Sequence, residues 1–102
     1  MRVIKPKRIM EFAHRHPDAE SNLKAWLVLT KKARWSHLAE TRATFPHADE
    51  VRVSSGRTVT IFNVKGTAYR LITAIHYDSG MVFVLRFMTH AEYGKNRWKA
   101  EL

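Results

Sequence analysis

Apolar positions in the first half of the chain recur at helical spacing. Asp18 and Glu20 follow Pro17, which ends the first helix, and their carboxylates suit the positive end of a second one. A short third helix is expected over residues 37–43, with Ser36 as its cap and Phe45-Pro46 at its end. The predicted inner positions are Ile9, Phe12, Ala13 and His16 in the first helix and Ala19, Leu23, Trp26, Leu27 and Thr30 in the second.

From Val51 onward the pattern changes to extended chain. Short segments of the turn-forming type (Ser54-Ser55-Gly56, Lys65-Gly66 and Asp78-Ser79-Gly80) separate the apolar runs, which predicts an antiparallel meander. A further short strand is expected at the N-terminus, and a turn with a short helix after residue 88. The predicted strands are residues 2–4, 51–53, 58–64, 69–77 and 81–88.

Helices first and a curled antiparallel sheet second indicate an α+β fold with the N-terminal helices packed on the sheet. At 102 residues, without an internal repeat or a long linker, the chain is expected to form a single domain over residues 1–102.

Charge narrows the range of functions. Eighteen Lys and Arg oppose nine Asp and Glu, so the formal net charge is +9 at pH 7. A strongly basic domain favours a polyanionic partner, with nucleic acid ahead of a membrane surface or an acidic protein. Without cysteine, a disulfide framework and a zinc ribbon are excluded. The N-terminal residues lack the apolar stretch of a secretory signal, and no apolar run could span a membrane, so we expect a cytoplasmic protein without membrane association.

Two arginines lie inside predicted strands. Strand alternation places Arg86 on one face with Val84 and Met88, and Arg70 on one face with Ile72, Ala74 and His76. A guanidinium on a rigid strand can donate two parallel hydrogen bonds to a phosphate. Each arginine alone could equally lie on a solvated face or pair with a carboxylate.

The segment Thr89-His90-Ala91-Glu92-Tyr93 follows the last strand and adds groups that could transfer protons. Cleavage of RNA without a metal requires a base for the ribose 2′-OH, a proton for the departing 5′-oxygen and cations for the phosphate. His90, Tyr93 and Glu92 could handle protons, and Arg70, Arg86 and Lys65 are candidates for charge stabilisation. This combination predicts a metal-independent ribonuclease site.

Other candidates are weaker. His14 and His16 point in different directions on a helix, so no metal site and no other cofactor are expected. Lys31, Lys32 and Arg34, followed by Trp35, could bind an RNA backbone, or could simply form a solvated helix end.

Short segments along nearly the whole chain form a familiar set. The segments are His16-Pro17, Lys32-Ala33 with Trp35, Phe45-Pro46 with Ala48-Asp49, Phe62 to Gly66, Tyr69-Arg70-Leu71, Arg86 and Met88 to Tyr93. Together they resemble the HigB family of type II toxins, and the Thr-His-x-Glu-Tyr ending is a specific part of the likeness. One departure is Gly94, where the family often has Asp after the Tyr.

The resemblance implies a RelE-like fold and an endoribonuclease that cleaves mRNA in the ribosomal A site. It also implies a HigA-like helix-turn-helix antitoxin as partner, and binding of operator DNA only as the toxin–antitoxin complex. Carried over by position, Arg70 would contact the scissile phosphate, His90 and Tyr93 would lie near the cleaved bond, and Lys65 and Arg86 would line the same surface.

Two other functions are considered. A non-catalytic basic module that binds RNA or an antitoxin would need the same positive face. A DNA-binding regulator fits the charge, but Pro17 separates the first two helices where a helix-turn-helix would have a glycine turn.

Overall fold

The computed structural model describes all 102 residues and confirms the α+β arrangement of N-terminal helices and a C-terminal sheet. Pro17 begins a single 3₁₀ turn, Pro17–Ala19, between the first two helices, which is the break that its missing N–H and fixed φ impose. The helices are α1 (Lys7–Arg15), α2 (Glu20–Lys32), α3 (Leu38–Thr44), α4 (His90–Gly94) and α5 (Trp98–Glu101).

The sheet has five strands in the order β1-β5-β4-β3-β2. The predicted meander is confirmed as three antiparallel neighbours, β3, β4 and β5, whereas β1 joins the edge in parallel with β5. The strands are β1 (Arg2–Ile4), β2 (Asp49–Arg52), β3 (Thr58–Val64), β4 (Tyr69–His76) and β5 (Met81–Thr89).

Helices α1 and α2 cover one face of the sheet. Phe62 is fully buried there, with its ring 5.5 Å from that of Trp26 and 5.2 Å from that of Phe45. These large rings supply much of the apolar area that stabilises the helical layer. The predicted inner positions of α1 and α2 are confirmed as buried at Ile9, Ala13, Leu23, Trp26 and Thr30.

The opposite face of the sheet is covered only in part, by the C-terminal segment. Trp98 is buried against Ile61, Ile72 and Met88, and Tyr93 packs at the margin of this second apolar cluster. The remainder of the face, at the end of the sheet where β4 begins, stays open to solvent.

A β-bulge at Leu85 reverses the alternation of β5. Arg86 pairs with Ile72 and Val84 pairs with Thr73, so Leu85 has no partner on β4. Val84 therefore packs with the helices, while Arg86 and Met88 lie on the opposite face; the prediction that Val84 shares a face with Arg86 is wrong. The Arg8 side chain of α1 donates to the carbonyls of Val84 and Leu85, at 2.8 and 3.3 Å, and so satisfies backbone acceptors at the bulge.

The start of α3 also differs from the prediction. The helix begins one residue later, at Leu38, with His37 in extended conformation as the preceding residue. Ser36 donates its N–H and its hydroxyl to the Glu40 carboxylate and does not cap the helix. Glu40 lies in the first turn of α3, and its carboxylate reaches back to these donors ahead of the helix start.

Candidate active site

Arg70 and His90 meet at the open end of the sheet. Arg70 Nη2 lies 3.1 Å from His90 Nδ1. Because a guanidinium has only donors, Nδ1 accepts in this bond, and the neutral imidazole then carries its proton on Nε2. The Arg70 side chain is half-buried, whereas His90 is exposed, so the pair is accessible to a ligand.

The turn between β3 and β4 holds the Arg70 guanidinium in place. Nη1 of Arg70 donates to the Thr67 carbonyl at 2.8 Å and to the Tyr69 carbonyl at 3.2 Å. These two bonds use one nitrogen, and the remaining guanidinium donors are directed toward His90 and the open space beside it.

The position of His90 is set by the start of α4. Thr89 and Glu92 form a reciprocal capping box, in which the Thr89 hydroxyl accepts from the Glu92 N–H at 3.2 Å and the Glu92 carboxylate accepts from the Thr89 N–H at 3.1 Å. The His90 N–H donates to the Ala68 carbonyl at 3.0 Å. The first helical residue is therefore fixed to the same turn that holds Arg70.

Tyr93 completes the group from the second turn of α4. Its ring lies under the Arg70 guanidinium, with Cζ 5.4 Å from the ring centroid, and is stacked on Trp98 at 5.2 Å. Burial raises the pKa of the Tyr93 hydroxyl above its ordinary value, and the Arg70 charge opposes this only in part. The hydroxyl therefore remains protonated at neutral pH and can donate a hydrogen bond.

A cleft of about 450 Å³ opens beside Arg70 and Tyr93. Two cations and one carboxylate line it together with amide and imidazole groups, which suits a polar, anionic ligand. The lining residues are Arg42, Pro46, His47, Ala48, Asp49, Ile61, Asn63, Arg70 and Tyr93.

Seven of these nine lining residues were not predicted from the sequence as site residues, and four of the seven have polar side chains: Arg42, His47, Asp49 and Asn63. Asn63 pairs with Arg70 across β3 and β4, so the hairpin register around Lys65-Gly66 is a signal that could have identified it. Arg42 and His47 come from the end of α3 and the following loop, and Asp49 is the first residue of β2, so no periodic pattern in the sequence predicts that they lie beside Arg70. Arg42 is fixed by donating to the Ala48 carbonyl at 2.8 Å and to Asp49 at 3.3 Å.

Three other predicted site residues lie outside the cleft. Arg86 donates to the Leu85 carbonyl at 2.9 Å, lies 3.7 Å from the Glu101 carboxylate and lines a separate groove beside α5. The Lys65 ammonium is 3.1 Å from the Asp18 carboxylate, on the helical side of the sheet. Glu92 is engaged by the capping box and faces the Arg86 groove.

The predicted RNA-binding residues Lys31, Lys32 and Arg34 lie elsewhere. Lys31 and Arg34 line a groove beside the β4–β5 turn, Tyr77 to Gly80, and Lys32 is exposed next to them. Arg70 is at the other end of β4, a strand of eight residues and thus roughly 25 Å long. The structure does not bring these cations to the Arg70–His90 pair.

No cluster of three or more His, Asp or Glu side chains is arranged as a metal site. None of the helices has the length and apolar character that a membrane crossing requires.

Comparison with known protein families identifies the family of this chain. Residues 19–96 match the model of the HigB toxin family, described as the RelE-like toxic component of a toxin–antitoxin system. The matched region includes α2, the whole β2–β5 sheet, the cleft and α4.

Characterised relatives give the same result over more of the chain. The chain is 26% identical over 93 residues to the mRNA interferase toxin HigB of Escherichia coli strain K12, an alignment that covers 91% of this chain and 88% of the relative. The mRNA interferases HigB of Escherichia coli O157:H7 and Shigella flexneri match at the same identity and coverage.

Proposed function

This chain belongs to the HigB toxin family, the RelE-like toxic components of toxin–antitoxin systems, and we propose that it is an mRNA interferase, an endoribonuclease that inhibits translation and growth by cutting messenger RNA. The observation that carries the proposal is the 3.1 Å contact between Arg70 and His90 beside Tyr93. Arg70 and Tyr93, a cation that can bind phosphate and a hydroxyl donor, line the cleft, and Arg70 contacts the imidazole of His90, which can accept a proton.

In the proposed reaction, the scissile phosphate binds to the Arg70 guanidinium. The backbone bonds from Nη1 keep the guanidinium in position, and Nη2 turns from His90 toward the phosphate oxygens. The positive charge stabilises the additional negative charge that develops on the phosphate during the reaction. No metal is required for this step.

His90 and Tyr93 then divide the proton transfers. Departure of Arg70 Nη2 frees the Nδ1 lone pair of His90, which accepts the 2′-OH proton as O2′ attacks phosphorus. The P–O5′ bond breaks, and the 5′-oxygen takes a proton from the Tyr93 hydroxyl, whose raised pKa keeps that proton in place beforehand. The products are a 2′,3′-cyclic phosphate and a 5′-hydroxyl, and proton return from His90 through water restores Tyr93.

The predicted partners form part of the same proposal. The substrate is mRNA in the ribosomal A site, and the inhibitor is a HigA-like helix-turn-helix antitoxin. The toxin binds operator DNA only as part of the toxin–antitoxin complex. The net charge of +9 supports binding to RNA, and messenger on ribosomes places the activity in the cytoplasm.

Inducible expression in a bacterial host tests the proposal. We expect the wild-type chain to arrest growth and to generate discrete messenger ends in primer extension, and His90→Ala to do neither. His14→Ala is the matched control, since it removes an exposed histidine from α1. Co-expression of the antitoxin should restore growth.

The non-catalytic alternative predicts a different result. A basic module that binds RNA or antitoxin would leave messenger ends unchanged in all three strains while retaining tight RNA binding. Intact messages at equal protein levels would refute the nuclease assignment.

A further inference from the structure

Asp18 connects the 3₁₀ turn of the helical layer to the β3–β4 turn. The Tyr69 hydroxyl donates to both carboxylate oxygens of Asp18, at 2.8 and 2.9 Å, and the Lys65 ammonium donates to Oδ2 at 3.1 Å. Lys65 is the first residue of the turn, and Tyr69 is the first residue of β4 after it. One carboxylate therefore binds both ends of the segment.

The bridged turn carries the backbone groups that position the proposed active site. Its Thr67 carbonyl accepts from the Arg70 guanidinium at 2.8 Å, and its Ala68 carbonyl accepts from the His90 N–H at 3.0 Å. The four turn residues between β3 and β4 are otherwise exposed, and none of their side chains is buried in either apolar cluster. Their position is thus set mainly by the two strand ends and by Asp18.

The backbone of this turn also contains one strained residue. Lys65 and Gly66 both have positive φ, +55° and +63°. The left-handed conformation is unfavourable for Lys65, which has a Cβ atom, at a cost of roughly 1 kcal/mol. The ion pair with Asp18 holds the Lys65 side chain in the direction that this conformation gives it.

An aromatic stack makes the support rigid on the helical side. The Tyr69 ring stacks on Phe87 at 5.0 Å, Phe87 stacks on Phe12 of α1 at 5.5 Å, and His16 packs edge-on against Tyr69 at 5.0 Å. His16 lies two residues before Asp18. The carboxylate is therefore presented to the turn by a packed part of the helical layer.

We propose that Asp18 is a positioning residue for RNA cleavage, which acts by holding the β3–β4 turn so that its Thr67 and Ala68 carbonyls align Arg70 and His90. The inference rests on the proposed function of that pair. It also assigns Lys65 to the support of the active site, in place of the position on the RNA-facing surface that the family resemblance implies.

Asp18 is ionised under working conditions. The hydrogen bond from Tyr69, and then that from Lys65, holds the pKa of the Asp18 carboxyl below its ordinary value. The bridge is therefore intact at neutral pH.

Cleavage kinetics of Asp18→Ala against a matched control test the inference. Glu20→Ala removes a carboxylate two residues away, which contacts only Lys24 of its own helix at 3.3 Å, so both variants raise the net charge by one. Because the net charge is the same in the two variants, any gain in RNA affinity from charge alone should also be the same in both. On ribosomes programmed with a short mRNA, we expect kcat of Asp18→Ala about tenfold below that of Glu20→Ala, with KM within about twofold, because a misaligned pair loses transition-state contacts.

Two further variants separate positioning from general damage. Asp18→Glu retains the charge and should recover kcat to within about threefold of wild type. Tyr69→Phe keeps the aromatic stack, removes the hydroxyl and should lower kcat by about threefold, so the inference remains testable if Asp18→Ala does not fold. Equal kcat for Asp18→Ala and Glu20→Ala, or a rise in kcat as Lys65 is released, would overturn the inference.

Hydrogen exchange provides a measurement that is independent of cleavage. In the purified toxin, the His90 amide should exchange at least fivefold faster in Asp18→Ala than in Glu20→Ala, since its Ala68 acceptor is no longer held. Unchanged exchange would refute the bridge itself. Absence of cleavage by the wild type would instead refute the proposed function.

Discussion

Replacement of Arg70 by alanine should abolish most of the cleavage while leaving the fold intact. The substitution removes the charge and the Nη2 donor that are proposed to contact the phosphate. Loss of one preorganised donor to a developing anion costs about 10²–10³ in kcat, and Arg70 supplies a full charge as well, so we expect a loss of about 10³-fold. Arg70→Lys keeps the positive charge but lacks the planar guanidinium, so its kcat should be about 10²-fold below that of the wild type.

The substitution should lower the stability without unfolding the domain. Arg70 makes two bonds to carbonyls at 2.8 and 3.2 Å on the exposed β3–β4 turn, where water can replace the donor. The free energy of unfolding should fall by about 1–2 kcal/mol. For a domain of this size, Tm falls by on the order of 4–8 °C per kcal/mol. A folded variant without activity is therefore the expected outcome.

The assay is single-turnover cleavage of a labelled mRNA on programmed ribosomes, with thermal unfolding followed by circular dichroism. Arg57→Ala is the charge-matched control, because Arg57 is exposed in the β2–β3 turn at the opposite end of β3 from Asn63. The cleavage rate of Arg57→Ala should fall only a few-fold, because the lower positive charge attracts RNA less strongly. Equal losses in Arg70→Ala and Arg57→Ala would show that the site is misplaced.

Three further predictions follow from the same geometry. Tyr93→Phe retains the stack on Trp98 but should lower kcat about 10²-fold. Because the pKa of Tyr93 is raised, the wild-type rate should fall only at pH values above the ordinary tyrosine range. A pH–rate profile should show this alkaline fall in the wild type and not in the variant. Glu92→Ala breaks the capping box with Thr89 and should lower the free energy of unfolding by about 1 kcal/mol in urea titration, with a few-fold loss of kcat because α4 carries His90. Phe62→Ala empties the centre of the helix-side core and should cost about 3–5 kcal/mol in the same titration; a cost below 1 kcal/mol would contradict the packing described.

The sheet was largely predictable from the sequence. The bounds of β3 agree with the prediction at both ends because β-branched residues fill it and a turn segment lies on each side. The parallel pairing of β1 with β5 could not be predicted, since a strand of three residues carries no signal of its partner or direction.

The bulge at Leu85 limited what alternation could predict about the site. A strand pattern assigns faces only while the register is unbroken, and nothing in Met81 to Met88 marks an unpaired residue. Arg86 does lie on the same face as Arg70, yet the C-terminal segment between them gives it a separate groove. Sequence reasoning identified Arg70 and Arg86 but not that they line separate grooves, and it missed Arg42, the second cation of the cleft.

The remaining differences have two origins. The capping box was visible in the sequence as Thr89-His90-Ala91-Glu92, a Thr-x-x-Glu pattern at a helix start, so the structural role of Glu92 could have been foreseen. The contacts of Asp18 with Lys65 and Tyr69 could not, because they connect residues about 50 positions apart in the sequence through the packing of the helical layer on the sheet.

A crystal structure of the chain with a short RNA that carries one 2′-deoxy nucleotide at the cleaved position would test the central claim most directly. We expect the scissile phosphate within hydrogen-bonding distance of the Arg70 guanidinium, with His90 beside the modified ribose and the Tyr93 hydroxyl on the side of the 5′-oxygen. RNA bound along Lys31, Lys32 and Arg34, with the Arg70–His90 contact unchanged, would contradict the account.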